Sequence, residues 1–248
     1  MQTGERYHIL DGIRGAAVIS MILYHAMWDV INVLGIYIPW YYSNIGYVWQ
    51  QSICWTFILL SGACRHFSKR PLRHGLLVFG AGILVSLVTA SFMPSETIRY
   101  GVLTLLGLSA LLVIPLKPLL DRLPAGAGLA GSLVLFALLR GVPQGYLGFE
   151  GLRLCALPGW LYQIDGLAVL GLPGPTFISS DYFPLLPWFF LYLTGYFLWA
   201  LVGSKPKVQA ALQPQVPVLG FLGRHSLVVY LLHQPVVMGI FSLLGMVV

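Results

Sequence analysis

The stretch RYHILDGIRGAAVISMILYHAMWD, residues 6–29, decides how the rest of the chain is interpreted. It is long and apolar enough to cross a membrane, yet it contains acidic, basic and imidazole side chains. Asp11, Arg14, Val18, Met21 and His25 are spaced by three or four residues, which places them on one stripe of an α-helix. Arg14 and His25 are about 16 Å apart along that stripe. Because ionisable groups are costly inside a membrane, the stretch predicts a functional helix.

The composition is that of a polytopic membrane protein. The chain has 248 residues, of which 58% are hydrophobic and 9% charged, and its mean hydropathy is +0.82. Soluble domains average about 25% charged residues. The net charge of +6 comes from basic residues beside apolar segments. The positive-inside rule explains that distribution better than nucleic-acid binding, so we expect no nucleic-acid partner and contact with membrane lipid.

The hydropathy pattern predicts an all-α protein with about seven transmembrane helices in a single domain, residues 1–248. The N-terminus is placed in the cytoplasm and the C-terminus outside, because the densest basic cluster, residues 65–74, follows the second span. Residues of about 141–181 are expected outside, either re-entrant or on the surface. The expected location is the inner (cytoplasmic) membrane. The predicted spans cover about residues 7–30, 48–67, 74–93, 99–120, 125–140, 182–202 and 225–247.

His25 and Asp29 are the predicted catalytic residues. They are one helical turn apart, so the carboxylate could orient the imidazole and raise its basicity. A histidine alone on an apolar face is more often a structural residue, and the same pair could also relay protons in a transporter.

A predicted cofactor site includes Asp11 and Arg14, since a guanidinium suits a phosphate group. A structural ion pair near the helix end is the alternative. Arg224 and His225 would add cations at the start of the last span, where a helix N-terminus favours anions. His233 is included as a further member of this site, although by itself it favours a structural role.

Asp181 and Trp28 are the predicted substrate-binding residues. Asp181 precedes an aromatic span and could contact a polar substrate, but it could equally cap a helix. The six histidines show no close metal-ligand spacing, so no metal is expected. The three cysteines, Cys54, Cys64 and Cys155, are interpreted as buried free thiols.

Six motifs occur in a fixed order along the chain: LDGIRG (10–15), MILYH (21–25), FILLSGAC (57–64), RYGVLTLLG (99–107), DYFPLLPWF (181–189) and LGRHSLVVYLLHQPV (222–236). In this order they resemble the prokaryotic heparan-alpha-glucosaminide N-acetyltransferase-like membrane family. The resemblance covers nearly the whole chain, and the spacing of Arg14 and His25 is also similar to the related acyltransferase family three.

The resemblance implies an integral membrane acyltransferase that moves an acetyl or other acyl group from cytoplasmic acyl-CoA to a hydroxyl or amine of an extracytoplasmic sugar or glycan. Arg14 would bind the nucleotide phosphates, and His25 would deprotonate the acceptor for direct transfer. An acyl-histidine intermediate is a less economical route. Residues 26–65 contain no histidine, so the catalytic pair of the animal enzymes does not carry over, and Thr104 replaces the residue usual in the fourth-span motif.

Two other functions remain open at this point. The buried His25, Asp29 and Arg14 would also serve a proton-coupled small-molecule transporter, although no repeated halves are visible. The chain could also be a structural or regulatory membrane subunit. A homodimer is compatible with the sequence.

Overall fold

The computed structural model describes residues 7–164 and 166–245. Arg6 and the last residues of the predicted final span lie outside these ranges. Within them the chain forms nine α-helices and a two-stranded antiparallel hairpin. The helices are α1 (His8–Asn32), α2 (Asn44–Cys64), α3 (Pro71–Phe92), α4 (Val102–Leu120), α5 (Ala125–Leu139), α6 (Leu185–Val202), α7 (Pro206–Leu212), α8 (Pro217–Arg224) and α9 (Ser226–Gly245); the strands are β1 (Tyr146–Phe149) and β2 (Leu152–Ala156).

Six of the described helices are long and apolar enough to cross a membrane, which confirms an all-α polytopic membrane protein. They are α1, α3, α4, α5, α6 and α9. The sequence predicted about seven spans. The second predicted span corresponds to α2, which has 21 residues but is not among the six. Its first half carries Asn44, Gln50, Gln51 and Ser52, and these polar side chains lower its hydropathy.

The chain divides into two compact units, and the first combines residues up to Phe57 with those from Ser204 onward. In this unit α1 packs against α7, α8 and α9. Glycines make the contact between α1 and α8 very close. A Cβ on Gly15 would lie 1.9 Å from the carbonyl oxygen of Leu219, and one on Gly223 would lie 1.8 Å from that of Asp11. Only a residue without a side chain fits at either position.

The contacts of α1 show that α1 and α9 run in the same direction. The first turn of α1 meets Gly223, just before α9 begins. Further along α1, His25 meets His233, and Asp29 meets Gln234. Both helices therefore begin at the same end of this unit.

The second unit, Ile58–Gly203, contains two helix pairs, α3 with α4 and α5 with α6. Small residues again allow close approach, because a Cβ on Gly107 would lie 2.4 Å from the backbone nitrogen of Phe79. Strand β1 packs against α5. The hairpin belongs to the segment of about 141–181, which the sequence predicted to be re-entrant or to lie on the surface, without predicting strands. Its placement outside the membrane stays a prediction, as does the single domain.

Candidate functional site

Two histidines from different helices meet in the first unit. The ring centroids of His25 on α1 and His233 on α9 are 4.9 Å apart, and the rings are tilted by 53°. His233 is buried, and its Nδ1 lies 2.6 Å from the carbonyl oxygen of Tyr230. Because a carbonyl oxygen can only accept a hydrogen bond, Nδ1 carries a proton, and in the neutral form of the ring Nε2 is then the acceptor. The sequence analysis grouped His233 with the cofactor site, whereas the structure places it beside His25.

Asp29 is fully buried one turn beyond His25. Its two carboxylate oxygens lie 3.3 and 3.5 Å from Nε2 of Gln234 on α9. In the described part of the chain its side-chain hydrogen bonds come from Gln234, not from His25. The expected orientation of the imidazole by Asp29 is therefore corrected, since the ring of His233 is what packs against His25.

Aromatic side chains form one wall beside His25. The ring of Tyr24 lies edge-on to His25, with centroids 6.0 Å apart, and stacks on Tyr41 at 4.9 Å. Trp49 packs edge-on against Tyr24 and donates from Nε1 to Oγ of Ser20 at 2.8 Å. Burial raises the pKa of Tyr41, so its hydroxyl remains protonated and can donate to the carbonyl oxygen of Tyr24. These contacts fix the side of α1 that carries His25.

The opposite end of α1 carries an ion pair. A guanidinium nitrogen of Arg14 lies 3.5 Å from a carboxylate oxygen of Asp11, and the two side chains are 23% and 13% exposed. The backbone of α8 covers this turn through Gly223. The predicted pairing of Asp11 with Arg14 is thus present. Its phosphate-binding role remains a prediction.

Arg224 and His225 lie at the junction of α8 and α9. Arg224 is the last residue of α8, and His225 caps that helix, with Nδ1 donating to the carbonyl oxygen of Phe221 at 2.9 Å. Both residues are exposed. They follow Gly223, which contacts Asp11, so the chain brings these side chains to the same end of the unit as Arg14.

The two predicted substrate residues lie in different units. Trp28 is half-buried on α1, between His25 and Asp29. Asp181 belongs to the second unit, where its Oδ2 accepts a hydrogen bond from the backbone nitrogen of Val102, at the start of α4, at 3.4 Å. Burial raises the pKa of Asp181 to about 6. This contact lies at the start of α4. The alternative named for Asp181, a cap of the span that follows it, is wrong, because α6 begins at Leu185 with Pro184 in the cap position.

The sequence analysis missed two residues of the site. Gln234 binds Asp29, and the carbonyl of Tyr230 sets the tautomer of His233. The sequence signal for both residues is their position in the motif LGRHSLVVYLLHQPV (222–236). Within residues 7–164 and 166–245, no group of three His, Cys, Asp or Glu residues could hold a metal ion.

A family model described as "Heparan-alpha-glucosaminide N-acetyltransferase, catalytic" matches residues 6–235. Comparison with curated proteins and with solved structures gave no match. The match extends from α1 through the first half of α9. It therefore includes the contacts around His25 and His233 as well as the Asp11–Arg14 ion pair.

Proposed function

Because the chain belongs to the family of heparan-alpha-glucosaminide N-acetyltransferase catalytic domains, we propose that it transfers an acetyl group from acetyl-CoA to a sugar. The family makes it a multi-pass membrane acetyltransferase. The donor, the acceptor and the membrane are the proposed parts. We assign acyl-CoA to the cytoplasmic side, a sugar or glycan hydroxyl or amine to the outer side, and the protein to the inner membrane.

The observation that carries the proposal is the arrangement of α1. Helix α1 carries Arg14 near its first turns and His25 three turns later, about 16 Å away along the helix axis. His25 packs there against His233 of α9. The separation between Arg14 and His25 is comparable to an extended pantetheine arm. A coenzyme held by its phosphates at Arg14 would therefore reach the histidines with its thioester.

The proposed reaction is a direct transfer. The acceptor nitrogen or oxygen attacks the thioester carbonyl carbon, the carbon–sulfur bond breaks, and coenzyme A leaves as a thiolate. His25 takes the proton from the acceptor and returns it to the thiolate, so that the enzyme is unchanged. The packing of His233 restricts the ring of His25. The negative charge of Asp29, on the same face of α1, stabilises the imidazolium that forms.

At the other end, Arg14 supplies the phosphate contact. One guanidinium nitrogen faces Asp11 at 3.5 Å, and a guanidinium carries five N–H groups in a planar fork that suits phosphate oxygens. Arg224 and His225 are exposed and lie where they can add positive charge. Charge-assisted hydrogen bonds to phosphate are among the stronger polar contacts in proteins.

Acetyl-CoA binding tests the donor end. We expect Arg14→Ala to weaken binding by about tenfold or more in calorimetry on purified protein, which corresponds to about 1.4 kcal/mol. Arg73→Ala is the matched control, since Arg73 is an exposed arginine at the start of α3. Equal affinity in both variants would remove Arg14 from the site.

Acetyl transfer to amino sugars and to their hydroxyl counterparts tests the reacting end. His25→Ala should lower kcat by at least about a hundredfold, because general base catalysis contributes 10²–10⁴-fold. His8→Ala, a histidine at the start of the same helix, should keep wild-type activity. A transporter would instead show uptake into liposomes driven by a pH gradient without coenzyme A.

A further inference from the structure

The side-chain amide of Gln234 has a defined orientation. The carboxylate of Asp29 is taken as ionised and accepts only, so the amide must turn its NH2 group toward it, in agreement with the 3.3 and 3.5 Å contacts of Nε2. The opposite orientation would bring an amide oxygen against a carboxylate. Oε1 of Gln234 therefore faces away from Asp29. It is buried and has no hydrogen-bond partner among the described residues.

The neighbouring residue presents a second acceptor of the same kind. Nε2 of His233 is also buried without a hydrogen-bond partner in the described chain, and in the neutral ring it is an acceptor, because Nδ1 holds the proton that is donated to the carbonyl oxygen of Tyr230. Buried polar groups are nearly always hydrogen-bonded, so two orphaned acceptors on consecutive residues require an explanation. Both residues contact α1 at the proposed reacting end. A molecule that brings O–H or N–H donors would satisfy them.

We propose that Gln234 is a substrate-binding residue whose Oε1 accepts a hydrogen bond from an O–H or N–H of the acceptor sugar. This inference rests on the proposed function. Nε2 of Gln234 holds the carboxylate of Asp29, and this contact fixes the direction of Oε1. Gln234 thereby selects acceptors that carry a donor group in the right place next to the reacting atom.

The selection follows from the cost of an unmet acceptor. A site built to bind a substrate hydroxyl rejects an analogue that lacks it, because the buried partner then stays without a hydrogen bond. The contact made by Oε1 would therefore act on the choice of acceptor, whereas the contact of Nε2 with Asp29 would influence transfer to every acceptor alike. A structural role for the amide would instead affect all acceptors to the same degree.

The test uses full-length protein, acetyl-CoA and methyl glucosaminide, together with analogues that each lack one hydroxyl. Kinetic constants are measured for wild type, for Gln234→Met, which has similar length without polar atoms, and for Gln163→Met as an exposed control. In wild type we expect one analogue to lose about five- to tenfold in kcat/KM, mainly through KM. In Gln234→Met that analogue and its parent should react equally well.

The comparison is internal to each variant, so a loss of stability lowers the rates for all acceptors together and does not imitate the expected pattern. If Gln234→Met does not fold, Gln234→Asn replaces it, because the shorter amide withdraws Oε1. The proposal is overturned if the analogues keep the same relative rates in the variant as in wild type, or if no analogue is discriminated in wild type. No acetylation of any sugar by wild-type protein would overturn the proposed function instead.

Discussion

Replacing Gly15 with alanine would place a methyl carbon 1.9 Å from the carbonyl oxygen of Leu219 and 2.7 Å from its carbonyl carbon. A Cβ atom essentially never lies closer than 3.0 Å to a non-bonded heavy atom of another residue. The obstacle is backbone, so a change of rotamer cannot relieve it. Helices α1 and α8 would have to separate locally by about 1.1 Å.

The expected cost is that of overpacking, about 1–3 kcal/mol. A gain in helix propensity works in the other direction, because alanine is favoured over glycine in a helix interior by about 1 kcal/mol. The net effect is a loss of up to about 2 kcal/mol. Since Gly15 follows Arg14 directly, the displacement should also disturb the proposed phosphate contact and weaken acetyl-CoA binding by about tenfold, or 1.4 kcal/mol.

Thermal unfolding in detergent and calorimetric binding of acetyl-CoA measure the two effects. Gly80→Ala on α3 is the matched control, because a Cβ there would have no neighbour within 4 Å, and this variant should be as stable as wild type or more so. Gly223→Ala approaches the same interface from α8 and should reproduce the loss. A Gly15→Ala variant with wild-type stability and affinity would refute the close approach of the two helices.

Two further outcomes follow from the structure. Burial raises the pKa of Asp181 in the folded protein to about 6, above its ordinary 3.8. The folded protein therefore binds this proton more tightly than the unfolded chain does. The free energy of unfolding should be largest below about pH 4 and should fall by at most about 3 kcal/mol as the pH rises through 6. Unfolding midpoints of Asp181→Asn, which keeps an acceptor for Val102, should lack this slope, and an unchanged slope would exclude Asp181 as its origin. Cys155 is an exposed free thiol in the segment of about 141–181. In a variant with Cys54 and Cys64 replaced by serine, Cys155 should react with a membrane-impermeant maleimide in intact cells, on the side of the membrane opposite to an N-terminal tag. Labelling only after lysis would contradict an extracytoplasmic position of this segment.

The properties that depend on one helix could be predicted from the sequence. Periodicity in residues 6–29 predicted a helix with Asp11 and Arg14 side by side, and the structure contains both the helix and the ion pair. Periodicity also places Asp29 on the face of His25. It does not show that Gln234, 205 residues away, provides the hydrogen bonds to that carboxylate.

Elements too short to have a hydropathy signal were also missed. Helices α7 and α8 have seven and eight residues, below the length of a span, and the β1–β2 hairpin has strands of four and five. Pro217 lies in the first turn of α8. This helix matters because it covers the first turns of α1.

The number of membrane crossings can be deduced from the direction of two helices. Because α1 and α9 run in the same direction, both enter the membrane from the same face, and the chain must cross an odd number of times between them. Single crossings by the apolar helices α3 to α6 would supply four of these. A fifth would then come from α2, whose 21 residues span about 31 Å, close to the thickness of a hydrocarbon core. Its glutamines then lie within the membrane, where only protein or a water-filled cavity can satisfy them. The seven crossings expected from the sequence therefore stay a prediction, which requires α2 to cross the membrane as well as the six more apolar helices.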